Sequence, residues 1–472
     1  MSREGRLLKN TLIITLGRVC TQLISFLLLP LYTSILATEE YGIVDLLNTL
    51  VSLLLPIVTL QVEHALFREL IETRTNNDEQ ADILTTGLGL VTIQCIIYGV
   101  LFLSISPLIH NEYKYFLASN VVSNVFLSVF LQIARGLGEN KKYAVASFAS
   151  ASSIIVFNII FLVGFGLGAR GMLFATLIGQ ILACIYLFCS LKLVKRLGLK
   201  RIEIDRIKKL LFYSIPLIPN AICWWIIDAS DRVIVSSFLG VDQNGILAAS
   251  LKFASLLTSV NYIFTLSWTE SITLAINDED IADYFNRMMN AILGLFISVA
   301  IGMITCMPVV YRLLIDAKYD AGYWLVPISI FATLFNIIVG LVSVVYVAKK
   351  NTKAIAKTSF FAAVINISTH LCLIRFIGLY AAVISSLIAF MVMALYRMYD
   401  INKKYFQISV SKKLIWSSIA VAVLVVVVYY INNKYLCVLS FGLACVYALM
   451  VNKSTLVLMY EMVKKRGRGR MK

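Results

Sequence analysis

Apolar runs of about 20 residues recur along the whole of this 472-residue chain, each long enough to cross roughly 30 Å of hydrocarbon as a helix. Hydrophobic residues make up 60% of the chain and charged residues 14%, and the mean hydropathy is +0.85. A water-facing surface cannot hold that much apolar side chain, so lipid is the solvent for most of the protein. In lipid every backbone polar group must be satisfied internally, which leaves helices or closed barrels. Barrels would show short alternating segments, which are absent. The expected fold is therefore an all-α polytopic membrane protein.

Reading apolar runs against charged loops predicts about fourteen transmembrane helices, near 10–36, 43–67, 82–106, 113–134, 143–167, 171–194, 211–239, 245–275, 286–314, 323–348, 354–376, 379–399, 412–431 and 434–451. Arg3, Arg6 and Lys9 precede the first run as a signal peptide's basic end would. That run continues to about Leu36 without a small-residue cleavage site and reads as a retained span.

The net charge of +16 and pI near 9.4 raise the question of nucleic acid, but the location of the charge argues against it. Basic residues concentrate in alternate short loops, including Lys195 to Lys209, Lys349 to Lys353 and Lys403 to Lys413. The other side receives only Lys114, Arg170, Arg312, Lys318, Arg375 and Lys434. By the positive-inside rule this places both termini in the cytoplasm of a multi-pass protein of the cytoplasmic (inner) membrane. The basic tail from Lys464 to Arg470 reads as facing membrane lipids, with no nucleic-acid partner. The cysteines lie mostly within apolar spans without a CxxC pair, so no metal, cofactor or disulfide framework is expected.

The richest basic loop separates an N-terminal six-helix lobe, 1–195, from a C-terminal six-helix lobe, 211–400, through a cytoplasmic linker, 196–210. Two additional helices, 401–451, and a basic cytoplasmic tail, 452–472, complete the chain. A shift of 203 residues lays Ser34-Ile35-Leu36 over Ser237-Phe238-Leu239 and Gly42-Ile43 over Gly245-Ile246; a shift of 210 lays Thr176-Leu177-Ile178-Gly179 over Ser386-Leu387-Ile388-Ala389. Two nearly equal offsets point to a duplicated, pseudo-symmetric unit.

Polar side chains inside spans are costly if they face lipid, and their helical spacing marks one face of each span. Thr11, Thr15, Arg18, Gln22 and Ser25 form such a stripe in the first span; Asp45, Asn48, Thr49, Ser52, Pro56, Thr59 and Glu63 form one in the second. The seventh carries Asn220, Trp224, Asp228 and Asp231 with Arg232 beside them. The eighth carries Lys252, Ser255, Ser259, Tyr262 and Thr269. The 203-residue shift pairs Ser52 with Ser255 and Thr59 with Tyr262, which predicts a cavity lined by spans 1, 2, 7 and 8. The alternative is that the hydroxyls hold helices together by interhelical hydrogen bonds, and that Asp231 and Arg232 pair with a neighbour. Asp45 and Glu270 read equally as interfacial charges, His64 as an interfacial histidine and His370 as a packing residue.

Short motifs complete the reading: Leu8-Lys9-Asn10-Thr11, the Leu36 to Gly42 link, Ala65-Leu66-Phe67-Arg68, Gln132-Ile133-Ala134-Arg135-Gly136 through Tyr143, and Asp231-Arg232 to Leu239-Gly240. With them the chain resembles the Wzx-type oligosaccharide-lipid flippases, in the superfamily that also holds multidrug and toxic-compound extruders and lipid II flippases. The resemblance implies two six-helix lobes alternating between inward and outward openings. It implies no enzyme activity, and a polyprenyl-pyrophosphate-linked oligosaccharide as substrate, with polysaccharide polymerase or assembly proteins as further partners. Under it the substrate-binding candidates are Arg18, Gln22, Asn48, Ser52, Arg232, Lys252, Ser255 and Tyr262, with Arg18, Arg232 and Lys252 on the pyrophosphate. Glu63, Asp228 and Asp231 are the ion-coupling candidates. The competing expectation is a drug or organic-cation antiporter of the multidrug-extruder type, which would want an acidic, aromatic cavity without buried cations.

Overall fold

The protein is described from a computed structural model, over residues 26–73, 76–198 and 202–453. Those residues are helical almost throughout. The helices are α1 Leu29–Ile35, α2 Thr38–Val58, α3 Val62–Glu72, α4 Asn77–Ile105, α5 Lys114–Gly136, α6 Asn140–Ile159, α7 Gly168–Ser190 and α8 Leu193–Arg196. They continue with α9 Ile204–Ser214, α10 Ile218–Phe238, α11 Val241–Ala275, α12 Ile281–Leu314, α13 Val326–Ala348, α14 Thr352–Ile377, α15 Tyr380–Lys404, α16 Lys412–Ile431 and α17 Lys434–Val451. Among the described residues eleven helices are long and apolar enough to span a bilayer, twelve if the bent α11 counts as one span. The first expected span lies mostly outside the described residues, and the last is the shorter apolar helix ending at Val451.

By contact the chain forms two compact units, one ending at Ala248 and one beginning at Ala249. In the first, Val62, Leu66 and Leu70 of α3 pack into a core with Ile83 and Leu84 of α4 and Val121, Val125, Val129 and Ile133 of α5. The loop after α8 is tied to α4, where Gly198 N–H donates to Thr85 Oγ1 at 3.3 Å and Glu203 N–H to Thr86 Oγ1 at 3.2 Å. In the second unit α12, α13 and α15 supply the buried Phe296, Ile330, Val342, Val345 and Met393. The last two helices pack on α12, and Asn452 Nδ2 donates to Ser298 Oγ at 2.9 Å.

One expected span is broken. The sequence pattern runs as a single stripe from Asp45 to Glu63, but the chain stops being helical at Val58 and restarts at Val62, with Leu60 (φ 49°) and Gln61 (φ 60°) both left-handed. Pro56 cannot donate a helical hydrogen bond, and two successive non-glycine residues at positive φ redirect the chain into α3. Asn48 and Ser52 are exposed, whereas Thr59 and Glu63 turn into the core at 0% and 2% exposure. The stripe is thus two faces on two helices, not one.

Candidate functional site

Without a hydrophobic driving force between helices in lipid, close helix contact depends on small residues and on hydrogen bonds. The first unit contains one such contact between the start of α2 and the start of α11. A Cβ added to Gly42 would lie 1.9 Å from the Val241 carbonyl oxygen, and one added to Gly245 would lie 1.9 Å from the Thr38 carbonyl oxygen. Thr38 and Gly42 are the residues that the 203-residue shift lays over Val241 and Gly245. Each glycine is touched by the counterpart of the residue that touches the other, the signature of a local two-fold axis. Asn244 Nδ2 closes the contact by donating to Gly42 O at 3.0 Å.

Next to it, α2 and α10 are joined by polar side chains. Arg232 Nε lies 2.9 Å from Asp45 Oδ2 in an ion pair whose side chains are 20% and 18% exposed. Arg232 Nη1 also donates to the Asp228 carbonyl at 2.9 Å. One turn further along α2, the Trp225 indole N–H donates to Thr49 O at 3.0 Å and Ser52 Oγ at 3.1 Å. An unpaired charge within an apolar helix is costly, and here Asp45 and Arg232 each have the other as a counter-charge.

The residues expected to form a site fall into distinct places. Arg18 and Gln22 lie outside the described residues. Asn48, Ser52 and Asp228 are exposed, Arg232 is engaged by Asp45, and Asp231 is buried. Lys252, Ser255 and Tyr262 of α11 belong to the second unit and are half-buried. Ser52 donates to Thr49 O at 2.7 Å and Ser255 to Lys252 O at 2.7 Å, the same bond at positions 203 residues apart. Those hydroxyls are satisfied within their own helices and do not donate between helices. Glu63 sits in the first turn of α3, and its Oε2 has no hydrogen-bond partner among the described residues. His64 beside it is exposed, and His370 is buried.

The motif residues near the other end of the first unit build a charged rim. The Arg135 guanidinium lies 4.7 Å from the Phe67 ring centroid and 5.9 Å from that of Tyr143, bringing two of the sequence motifs together. Arg68 stacks 4.7 Å over the Tyr213 ring and pairs with Glu72 at 3.2 Å. Glu69, its side chain 8% exposed, receives Lys209 at 3.0 Å and Arg206 at 3.7 Å. A cleft of about 420 Å³ opens between α3 and α9 beside Arg68, Lys209 and Tyr213.

Three participants escape sequence reasoning. The polar spacing of the seventh span selects Trp224, whereas its neighbour Trp225 makes the contact, and Asn244 sits in a span-initial stretch that gives no periodic signal. Arg397 is the third, although a charge inside the apolar run of α15 is its signal. Its side chain is fully buried, with Nε donating to Thr358 Oγ1 at 2.9 Å, Nη2 to Ser359 Oγ at 3.2 Å, and Nη1 to Ser343 Oγ. No group of His, Cys, Asp and Glu among the described residues is arranged to hold a metal ion.

The sequence profile of the family described as Polysaccharide biosynthesis protein matches residues 7–269. No curated protein matches the chain significantly in sequence. Among solved structures, the lipid II flippase MurJ in its inward closed conformation superposes with a TM-score of 0.72 at 14% identity, covering 97% of this chain and 99% of that one. An inward-facing multidrug resistance MATE family transporter of the MOP superfamily superposes at 0.63 with 14% identity over 82% and 98% of the two chains. The outward-facing conformation of a MATE family transporter gives 0.59 at 15% identity over 83% and 95%. At such identities the likeness establishes the fold.

Proposed function

The chain belongs to the polysaccharide biosynthesis protein family, and from that premise we propose that it flips a polyprenyl-pyrophosphate-linked oligosaccharide across the cytoplasmic membrane by alternating access. The reading takes the chain as two six-helix lobes, 1–195 and 211–400, joined by a cytoplasmic linker, 196–210. Helices over 401–451 and a basic tail, 452–472, complete fourteen spans with both termini cytoplasmic. Polymerase and assembly proteins of the same polysaccharide are its expected partners.

The observation that carries the mechanism is the two-fold contact of Gly42 with Gly245, braced by Asn244, the Asp45–Arg232 pair and Trp225. By the basic-loop asymmetry this end faces outward, so the contact is the outer gate, drawn closed. A substrate with a pyrophosphate and several sugars passes only after α2 and α10 part. Parting frees Arg232 from Asp45 and offers a guanidinium to phosphate oxygens, which compete with the carboxylate for the same planar donors. Arg18 and Lys252 are the further phosphate candidates. Gln22, Asn48, Ser52, Ser255 and Tyr262 are the sugar-binding candidates. Glu63, Asp228 and Asp231 remain the coupling candidates, and the unsatisfied Glu63 Oε2 supports a proton or cation there.

The test is glycan export in a flippase-deficient strain, with membrane abundance checked for each variant. Arg18→Ala and Lys252→Ala should each lower export by roughly ten- to a hundredfold, the worth of one charge-assisted bond to phosphate. Lys403→Ala, at the exposed end of α15, should export normally. Normal export by both cavity variants would discard the phosphate role.

A further inference from the structure

A groove of about 410 Å³ runs between α14 and α15 in the second unit, within the size range of ligand sites. Its walls are apolar, formed by Phe361, Ile365, Val392 and Met393. One end is different in kind. Lys357 stands at the mouth and Tyr396 lines the wall beside it, both exposed. Among the described residues Lys357 has no ion pair or hydrogen bond, and Lys353, one turn earlier on α14, is likewise exposed and without an ion pair. The carboxylate of this region does not serve them. Asp400 receives the Tyr346 hydroxyl at 2.8 Å and pairs with Lys404 at 2.8 Å.

The groove floor is rigid for a reason that has nothing to do with lipid. Arg397, one residue beyond Tyr396, locks α15 to α14 through Thr358 and Ser359 and to α13 through Ser343. Three helices are thereby held at fixed spacing directly beneath Lys357. A preformed apolar slot with an uncompensated cation at its mouth matches one kind of molecule, an amphiphile with an anionic head and an apolar chain. A long lysine side chain that snorkels to the interface is the residue that meets such a headgroup. The lysines of the 349–353 and 403–404 segments mark this end as the one facing the anionic leaflet.

We propose that the α14–α15 groove is a binding site for an anionic phospholipid, with its phosphate on Lys357 and an acyl chain along Phe361, Ile365, Val392 and Met393. The proposal does not depend on what the protein carries.

The experiment measures binding of phosphatidylglycerol and of phosphatidylcholine to the detergent-purified full chain by native mass spectrometry, with a melting curve of each variant recorded without lipid. The parent should bind phosphatidylglycerol at least tenfold more tightly than phosphatidylcholine. Lys357→Gln should lose at least that factor, and Lys357→Arg should retain binding. Val392→Trp keeps the charge but fills the slot, and should lose phosphatidylglycerol binding too. Lys208→Gln, which removes an exposed charge from the first unit, should bind as the parent does. Parental binding by Lys357→Gln overturns the proposal, as does equal loss in Lys208→Gln, which would mean that bulk charge alone attracts the lipid. Equal competition by inorganic phosphate would also overturn it, because a free-anion site needs no groove. Should Lys357→Gln fail to melt cooperatively, the contrast between Lys357→Arg and Val392→Trp decides the matter.

Discussion

A guanidinium inside an apolar helix can avoid the cost of desolvation in two ways, and both occur here. Arg232 takes a carboxylate, Asp45, whereas Arg397 takes hydroxyls and a carbonyl and keeps its charge uncompensated by a direct acid. The two should respond differently to substitution. Asp45→Asn and Arg232→Gln should each destabilise the detergent-purified protein more than the double variant does, with a coupling of about 0.5–3 kcal/mol in a double-mutant cycle. Additive losses would mean that the pair contributes nothing. At Arg397 two of the three hydroxyl partners already donate to their own helix, Thr358 to Ala354 O at 2.9 Å and Ser343 to Val339 O, whereas the buried Ser359 hydroxyl is held by the guanidinium. Arg397→Met removes a buried charge but leaves the Ser359 hydroxyl without its partner, so the two effects oppose and its melting temperature should stay nearer the parent's than that of Arg397→Ala, which also leaves a cavity. A collapse of both to the same low value would show that the charge itself holds the helices. Asp45 is legible in the sequence only as an ambiguous interfacial acid. Its partner becomes evident once the fold brings α2 against α10, because periodicity names the face of a helix but not the helix opposite.

At the scale of elements, sequence periodicity locates nearly every described helix to within a few residues, since the contrast between lipid-facing runs and charged loops is strong. It fails at 59–61, where the apolar pattern carries straight through a backbone break. Pro56 is visible there, but proline inside a membrane helix is often tolerated, and nothing in the residues Leu60 and Gln61 announces positive φ. The Gly42–Gly245 match shows in the sequence as an offset, without any sign that the two glycines touch. That contact makes a sharp expectation. Gly42→Val should lower the melting temperature well below that of Gly340→Val, because nothing lies within 4 Å of a Cβ at Gly340, whereas at Gly42 a carbonyl oxygen sits 1.9 Å away. Equal effects would mean that α2 and α11 do not meet as described.

At the scale of the whole molecule, composition settles the membrane and the helices before any motif is considered, and the family match and the fold shared with solved flippase and extruder structures agree with that reading. The orientation is a separate matter, because charge asymmetry is a property of how the chain inserts and leaves no mark on helix packing. Reporter fusions after Lys209 and after Lys472 should both read as cytoplasmic; an external reading at either would overturn the span count, and external readings at both would move the proposed gate and the proposed lipid groove to the opposite leaflets. The substrate is likewise decided outside the fold, which lipid flippases and multidrug extruders share. The most direct measurement is movement of a fluorescent polyprenyl-pyrophosphate oligosaccharide between the leaflets of vesicles containing the purified chain. Flipping well above that of protein-free vesicles, and slowed by Arg18→Ala and Lys252→Ala but not by Lys403→Ala, is the predicted result. Flipping no faster than in protein-free vesicles, together with ion-driven uptake of an organic cation by the same preparation, would contradict it.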